Sequence, residues 1–345
     1  MFLSDNLDMP GARVSGLGTY LPERVLTSDE VEHGLRQGGI AVAEGFIERV
    51  TGVRERRVAA LRENASDLAA CAAEVALAEA GVAAKDVELL IFASASHDVI
   101  EPATAGILQA RLAAKQARTC DVKNACNSFV SGLDVASAYL RAGLAKVALV
   151  ATGEIPSRAI RLSFDSQADL MARFAHLTMG DAGGAVVLTR APDVGVGFVA
   201  TGGVTRGELW KLGTILSGGT MFPRDLSLSR AYLQTRGREL EECGRAEIPP
   251  VAAAVLERVG WSPESINVVA MQQHTKKVVH EIVSLTGIPI ERAPLPLLYA
   301  GNAVSGNVPL ALADARASGV LSEGCRVMLF GGSSGLSILI SALVW

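Results

Sequence analysis

The 345-residue chain is 49 % hydrophobic and 20 % charged, which excludes the disordered, collagen-like and mucin-like classes. Its formal net charge of -4 is the wrong sign for a general nucleic-acid binder. The length suggests about two domains, yet no Pro/Gly/Ser-rich linker divides them.

Five cysteines stand at irregular spacing: Cys71, Cys120, Cys126, Cys243 and Cys325. No CxxC occurs and the histidines are scattered, so neither a disulfide framework nor a metal site is expected. That usage fits a reducing compartment. Met1–Asp5 has neither a basic nor an apolar leader region, and no run of 18 apolar residues occurs. The expectation is a cytoplasmic protein with no membrane span.

In chain order, Thr27-Ser28-Asp29-Glu30 is a capping-box pattern that opens a helix. An Ala-rich amphipathic helix follows over about 66–80, then a short apolar strand over 87–93. Next come a helix over 103–114, a strand near 119–122, a helix over 128–142 and a strand over 147–151. The second part repeats this plan, with a helix over 251–259, a strand over 266–270 and a helix over 276–285. A loop at 299–302 then leads to a helix over 308–317 and a strand over 326–330. Strands alternating with helices of this length define βαβ units of an α/β fold.

The two parts read as copies. Cys126 to Asn302 and Gly143 to Gly319 are both shifts of 176, and the upstream strands match at about 179. One α/β unit is duplicated, with halves over 1–190 and 191–345. Packed together, they would bring Cys126 and Asn302 to mirrored positions of one crevice, where open α/β sheets bind ligands.

Four segments carry candidate chemistry. Cys126 lies between a short strand and a helix, where the macrodipole would lower its thiol pKa and favour a nucleophile. A small buried core residue is the competing reading. In 299–309, Asn302 can offer amide N–H groups to a developing oxyanion, or Asn302 and Asn307 can simply cap the turn. Gln272-Gln273-His274-Thr275 ends a buried strand, where His274 can serve as acid, base or donor, or be satisfied by backbone. Gly180 to Leu188 has no GxGxxG and no phosphate-loop lysine, so it reads as close backbone contact leading into a strand.

Together these segments resemble β-ketoacyl-[acyl-carrier-protein] synthase III of the thiolase-like superfamily. The resemblance rests on Thr51-Gly52-Val53-Arg54-Glu55-Arg56-Arg57, Asp121 to Phe129, Gly180 to Leu188 and Gly301 to Leu312. It implies duplicated βαβαβαββ halves in a five-layered αβαβα architecture, in a homodimer. It implies acylation of Cys126 from coenzyme A or carrier protein, then decarboxylative condensation with a malonyl thioester, in fatty acid or polyketide assembly. An antibiotic-pathway branch falls within it. No cofactor is implied; the acyl or malonyl thioester is the substrate.

Asn302 falls on the family's Asn, and together with Cys126 and His274 it makes up the expected catalytic set. Gln272, Asn307, Arg173, Phe46 and Ser333 are the expected substrate-binding residues. The departures are informative. Counting from the strand puts Gln272, not His274, at the family's His, and a Gln amide donates but cannot exchange a proton near pH 7. Phe46 replaces the Trp that stacks on adenine, Val50 replaces an Arg, and Arg173 keeps the second Arg. These changes favour a carrier-protein donor over free coenzyme A. Asn127-Ser128 replaces the usual Ala-Gly after the nucleophile, and 155–174 is longer than usual. Two other readings compete: transfer of the acyl group to a hydroxyl or amine with His274 as base, and a non-catalytic partner subunit.

Overall fold

The computed structural model describes residues 1–5, 10–223, 225 and 227–345. The first part runs β1 (Phe2–Asp5), β2 (Ala12–Tyr20), β3 (Arg24–Thr27), α1 (Ser28–Gln37), α2 (Phe46–Thr51), β4 (Glu55–Val58), α3 (Ala65–Ala80), β5 (Leu89–Ala93), α4 (Thr104–Leu112), β6 (Arg118–Val122), α5 (Ser128–Arg141), β7 (Val147–Glu154), α6 (Gln167–Ala172) and β8 (Ala182–Arg190). The second runs β9 (Gly197–Thr205), β10 (Gly213–Thr214), α7 (Leu228–Ala231), β11 (Gln234–Thr235), α8 (Gly237–Val259), β12 (Val268–Met271), α9 (Lys276–Leu285), α10 (Leu297–Ala300), α11 (Asn307–Ala317), β13 (Arg326–Ser333) and β14 (Ser337–Val344).

Two five-stranded sheets form, in the orders β2-β8-β7-β5-β6 and β1-β9-β14-β13-β12. In the first, β5 runs parallel to β6 and β7, and β8 antiparallel to β7 and β2. The second repeats this, with β12 parallel to β13 and β14 antiparallel to β13 and β9. It has no counterpart of β6 among the described residues. By the 179-residue spacing of the other elements its place falls at 297–301, where α10 forms instead directly after Pro296, and proline cannot donate to a ladder.

Side chains alternate along each strand, so one sheet serves two cores. Ile91 and Val150 face inward, with Leu329 and Leu343 of the other sheet, and pack on Phe129 and Leu133 of α5 and Leu312 of α11. Leu90, Phe92 and Leu149 face outward onto α3 and α4. Met328, Phe330 and Ile340 face the α8–α9 layer. The stacking is thus α3/α4, sheet, α5/α11, sheet, α8/α9. Strands buried on both faces explain the apolar runs of the sequence.

The repeat is sharper than the 176-residue shift. β5 to β12, α5 to α11 and β7 to β13 all begin 179 residues apart. Two of the three non-glycine residues of positive φ among the described residues, Ala125 (46°) and Val304 (52°), are also 179 apart. The residue that mirrors Cys126 is therefore Ser305, and Asn302 lies three residues before it. The 176 shift of the glycines arises because α11 has 11 residues where α5 has 14.

Other boundaries moved as well. α8 begins at Gly237, fourteen residues before the expected 251, and carries Pro249 and Pro250 inside it. β7 runs three residues past the expected end, to Glu154. Positions 224 and 226, between β10 and α7, lie outside the described residues. Among the described residues no helix is long and apolar enough to cross a membrane.

Candidate active site

Cys126 sits two residues before α5, on a sharp turn. Ala125 takes left-handed φ, and its carbonyl accepts from Ser128 N at 3.1 Å, Ser128 Oγ at 2.6 Å and Ser305 Oγ at 3.3 Å. Ser128 Oγ also accepts from Asn124 N at 2.8 Å, which stitches the turn shut. Asn127 is fully buried, and its Nδ2 donates to Ser337 Oγ at 3.3 Å. A Cβ on Gly331 would lie 1.7 Å from Asn127 Oδ1, so glycine is required there. The Cys126 side chain is partly exposed, but protein surrounds the sulfur. Burial pushes its thiol up to about 12, and the Glu154 carboxylate acts in the same direction. The helix-dipole expectation of a lowered pKa is thus overturned by desolvation.

Asn302 is buried in the turn before α11. Its backbone N donates to Thr178 O at 2.7 Å, and its carbonyl accepts from Gly180 N at 3.1 Å. Gly180 permits that approach, since a Cβ there would stand 2.0 Å from Ala300 O. Asn302 Oδ1 accepts from Val304 N at 3.0 Å and from Gln272 Nε2 at 3.2 Å. Its Nδ2 is buried without a partner. A buried amide left unpaired costs about 1–3 kcal/mol, and this N–H group is free to donate.

Among the three strand-end candidates, Gln272 is the residue that reaches Asn302. Gln273 is structural: Nε2 donates to Pro294 O at 2.7 Å, and Oε1 accepts from Leu297 N at 3.2 Å. It ties the end of β12 to the loop that carries Asn302. The His274 ring has no hydrogen bond to Cys126, Gln272 or Asn302 among the described residues. Burial alone lowers its pKa to about 4, so the ring is neutral at physiological pH.

The remaining expected residues are spread out. Asn307 opens α11, and its Nδ2 donates to Gly301 O at 3.2 Å, shaping the Asn302 turn. Ser333 ends β13, and its Oγ donates to Ser334 O at 3.0 Å. Phe46 opens α2 and packs edge-on to Phe174, with ring centroids 6.2 Å apart. Arg173 is clamped by Asp169 and by Ser163 O at 3.1 Å, and lies over the Phe164 ring at 4.6 Å. That pairing holds Asp169 down at about 2. The longer 155–174 segment thus supplies its own partners to Phe46 and Arg173.

Two cavities open on the molecule. One of about 450 Å³ is lined by Arg49, Arg54, Lys276 and Lys277 together with Glu48, and by none of Cys126, Gln272 or Asn302. The other, of about 420 Å³, has Ala125 on its wall with Trp210, Ile215, Leu216, Met221 and Ser334.

Glu154 was missed by sequence reasoning. It is fully buried at the end of β7 and accepts from Ala95 N at 2.9 Å and from Ser96 N and Oγ at 3.1 and 2.9 Å. Burial raises its pKa, while Ser305, Ser96 and Ser94 hydroxyls oppose the shift. An acidic residue ending an otherwise apolar strand, as in Val147–Glu154, was the available signal.

A cysteine on a left-handed turn before α5 and a buried unpartnered amide in the turn before α11, in duplicated α/β halves joined there by Ser305 Oγ and Ala125 O, fit a thiolase-like acyltransferase. The chain matches the models of 3-oxoacyl-[acyl-carrier-protein (ACP)] synthase III over residues 120–206 and of its C-terminal part over 256–345. It is 32% identical to the β-ketoacyl-[acyl-carrier-protein] synthase III of Rhodospirillum centenum, over 92% of this chain and 93% of that one. The enzyme of that name from Clostridium beijerinckii is 29% identical, over 98% and 100%. The crystal structure of the Aquifex aeolicus enzyme has TM-score 0.85 at 28% identity, covering 97% of this chain and 100% of that one. A Xanthomonas campestris OleA with cerulenin bound has TM-score 0.84 at 26% identity, covering 100% and 98%. The chain belongs to the 3-oxoacyl-[acyl-carrier-protein] synthase III family.

Proposed function

We propose that the protein loads an acyl group from a thioester onto Cys126 and condenses it with a decarboxylated malonyl thioester. The observation that carries this reading is the buried, unpartnered Asn302 Nδ2 beside Gln272 Nε2. In the first step the Cys126 sulfur attacks the donor carbonyl, and the donor thiolate leaves. In the second, the C–CO₂ bond of the malonyl thioester breaks and its electron pair moves toward the thioester oxygen. That oxygen needs a hydrogen-bond donor as charge develops, and the Asn302 amide can supply one without any proton transfer while Gln272 Nε2 holds Asn302 Oδ1 in place. The carbanion carbon then attacks the acyl carbonyl, and the Cys126 thiolate leaves.

The donor is a carrier-protein thioester in preference to free coenzyme A. Supporting this, Phe46 and Arg173 are occupied by Phe174, Phe164 and Asp169, so no clamp for adenine stands open. The basic cavity at Arg49, Arg54, Lys276 and Lys277 suits a phosphate on an acidic partner. The setting is fatty acid or polyketide assembly, antibiotic-type included, by a cytoplasmic homodimer.

Transfer to a hydroxyl or amine is the second reading, favoured by the uncharged cavity on the Ala125 side. It needs a base at the acceptor, and among the described residues His274 has no side-chain hydrogen bond that orients it as one. Carbon dioxide release from malonyl thioester, measured with acylated protein, separates the two. Release that is lost in Asn302→Ala is expected. Acylation of Cys126 with transfer to an alcohol and no release would replace condensation by the second reading.

A further inference from the structure

The Cys126 turn and the Asn302 donor belong to different halves, and C–C bond formation needs both at one spacing. Asn124, Ala125, Cys126 and Asn127 form a four-residue turn, closed by Asn127 N donating to Asn124 O at 3.0 Å. Both end residues of that turn reach one side chain. Asn124 Nδ2 donates to Ser337 Oγ at 3.0 Å, and Asn127 Nδ2 donates to the same oxygen at 3.3 Å. Asn124 Nδ2 also donates to Ser131 Oγ of α5, at 3.0 Å. Ser337 is buried and opens β14 of the second half, where it pairs with Ser333 of β13 and Thr205 of β9. Asn302 is fixed to the same sheet. Gln272 Nε2 holds its Oδ1 at 3.2 Å, and Gln272 N donates to Phe330 O of β13 at 3.2 Å. One sheet thus grips the thiol turn at one point and the amide donor at another.

We propose that Ser337 is a positioning residue for C–C bond formation. Its hydroxyl oxygen, with both lone pairs taken by the two asparagine amides, sets the Cys126 acyl carbonyl against the carbanion formed at Asn302. Such a reaction is steep in geometry, since a misplacement of about 1 Å can cost about 10²-fold. Without the hydroxyl, Asn124 keeps its bond to Ser131. Asn127 loses its one side-chain partner among the described residues, because its Oδ1 has none. The turn then shifts on the sheet while Asn302 stays where Gln272 holds it. Decarboxylation needs the donor alone, so the C–CO₂ bond still breaks. The carbanion takes a proton from water in place of the acyl carbon, a C–H bond forms, and the Cys126 thioester stays intact.

This inference rests on the reading that Cys126 is acylated and a malonyl thioester is decarboxylated. The test acylates full-length protein, adds malonyl thioester, and counts ketoacyl product per carbon dioxide released. Wild type should give one product for each carbon dioxide. Ser337→Ala should keep release within about threefold of wild type, while product per carbon dioxide falls by roughly tenfold. Ser337→Thr, which keeps the hydroxyl, should restore that yield. A merely structural defect would lower release and product together and leave their ratio alone. Amide hydrogen exchange needs no substrate: in Ser337→Ala the Asn127 N–H should exchange at least about tenfold faster, with β5 unchanged. Should Ser337→Ala fail to fold, Asn124→Ala removes one of the two bonds and should lower the ratio by roughly threefold. An unchanged ratio in a folded variant, or unchanged exchange at Asn127, would overturn the positioning role. A wild-type protein that neither acylates nor releases carbon dioxide would instead remove the proposed function, and the exchange measurement would still decide what Ser337 holds.

Discussion

Asn302 spends its carbonyl oxygen on Gln272 Nε2 and Val304 N, which leaves both amide protons unclaimed. Asn302→Ala removes that donor. Carbon dioxide release should fall by about 10²–10³ while the Cys126 adduct still forms, because oxyanion donors act on charge that develops later. Gln272→Leu should lower release by letting the Asn302 side chain turn away, with acylation again retained, as followed by intact mass. His274 yields a prediction of another kind. It takes a proton at about 4 in the folded chain, against an ordinary value of 6.5. Between those values the unfolded chain binds more protons, so stability is whole above 6.5 and is lost as pH falls through about 4. In His274→Asn the urea midpoint should drop less between about pH 7.5 and pH 5 than in wild type. The residue types of this site were legible as a set, but their pairing was not. Gln272 and His274 lie two positions apart on a strand end, and only the path of the chain after β12 decides which one meets Asn302.

Elements were readable where their signals are local. Thr27 and Glu30 form both bonds of the expected capping box, at 3.2 Å and 2.7 Å. The doubly buried β5 and β7 showed as apolar runs. α8 was cut short in the reading because Pro249 and Pro250 are strong helix-breaking signals, whereas the helix runs through both to Val259. The end of β7 was missed because Thr152, Gly153 and Glu154 look like a turn. Ladder bonds to β8 carry the strand onward, and glycine at 153 lets it pass α3, where a Cβ would stand 1.8 Å from Ala65 O. The meeting of α5 with β13 gives the prediction at this scale. Gly331→Ala drives a Cβ into Asn127 Oδ1 and should cost about 1–3 kcal/mol by urea denaturation. Asn127→Ala added to it should return part of that loss, since the clash is between those two side chains.

Across the whole molecule, duplication was visible in the spacing of strands, and the crevice between halves followed from it. What the spacing could not supply was the mirror partner of Cys126. A glycine-to-glycine match points to Asn302, but the left-handed residues Ala125 and Val304 align Cys126 with Ser305. Helix length and turn geometry trade three residues here, and a one-dimensional comparison cannot see the trade. Donor choice also belongs to this scale. The same acyl group should give a kcat/KM at least about tenfold higher on a carrier protein than on coenzyme A, because Phe46 and Arg173 are already occupied.

The inner core has one further consequence. Phe129 and Leu133 of the first half are buried against Leu329 and Leu343 of the second, and Val308 of the second joins Val150 of the first. Neither half covers its own inner face. Cut in the link 191–196, the chain should yield two pieces that are each insoluble alone, yet regain a reactive Cys126 when refolded together. The catalytic turn is then a property of the seam, and a gene for either half alone would encode no enzyme.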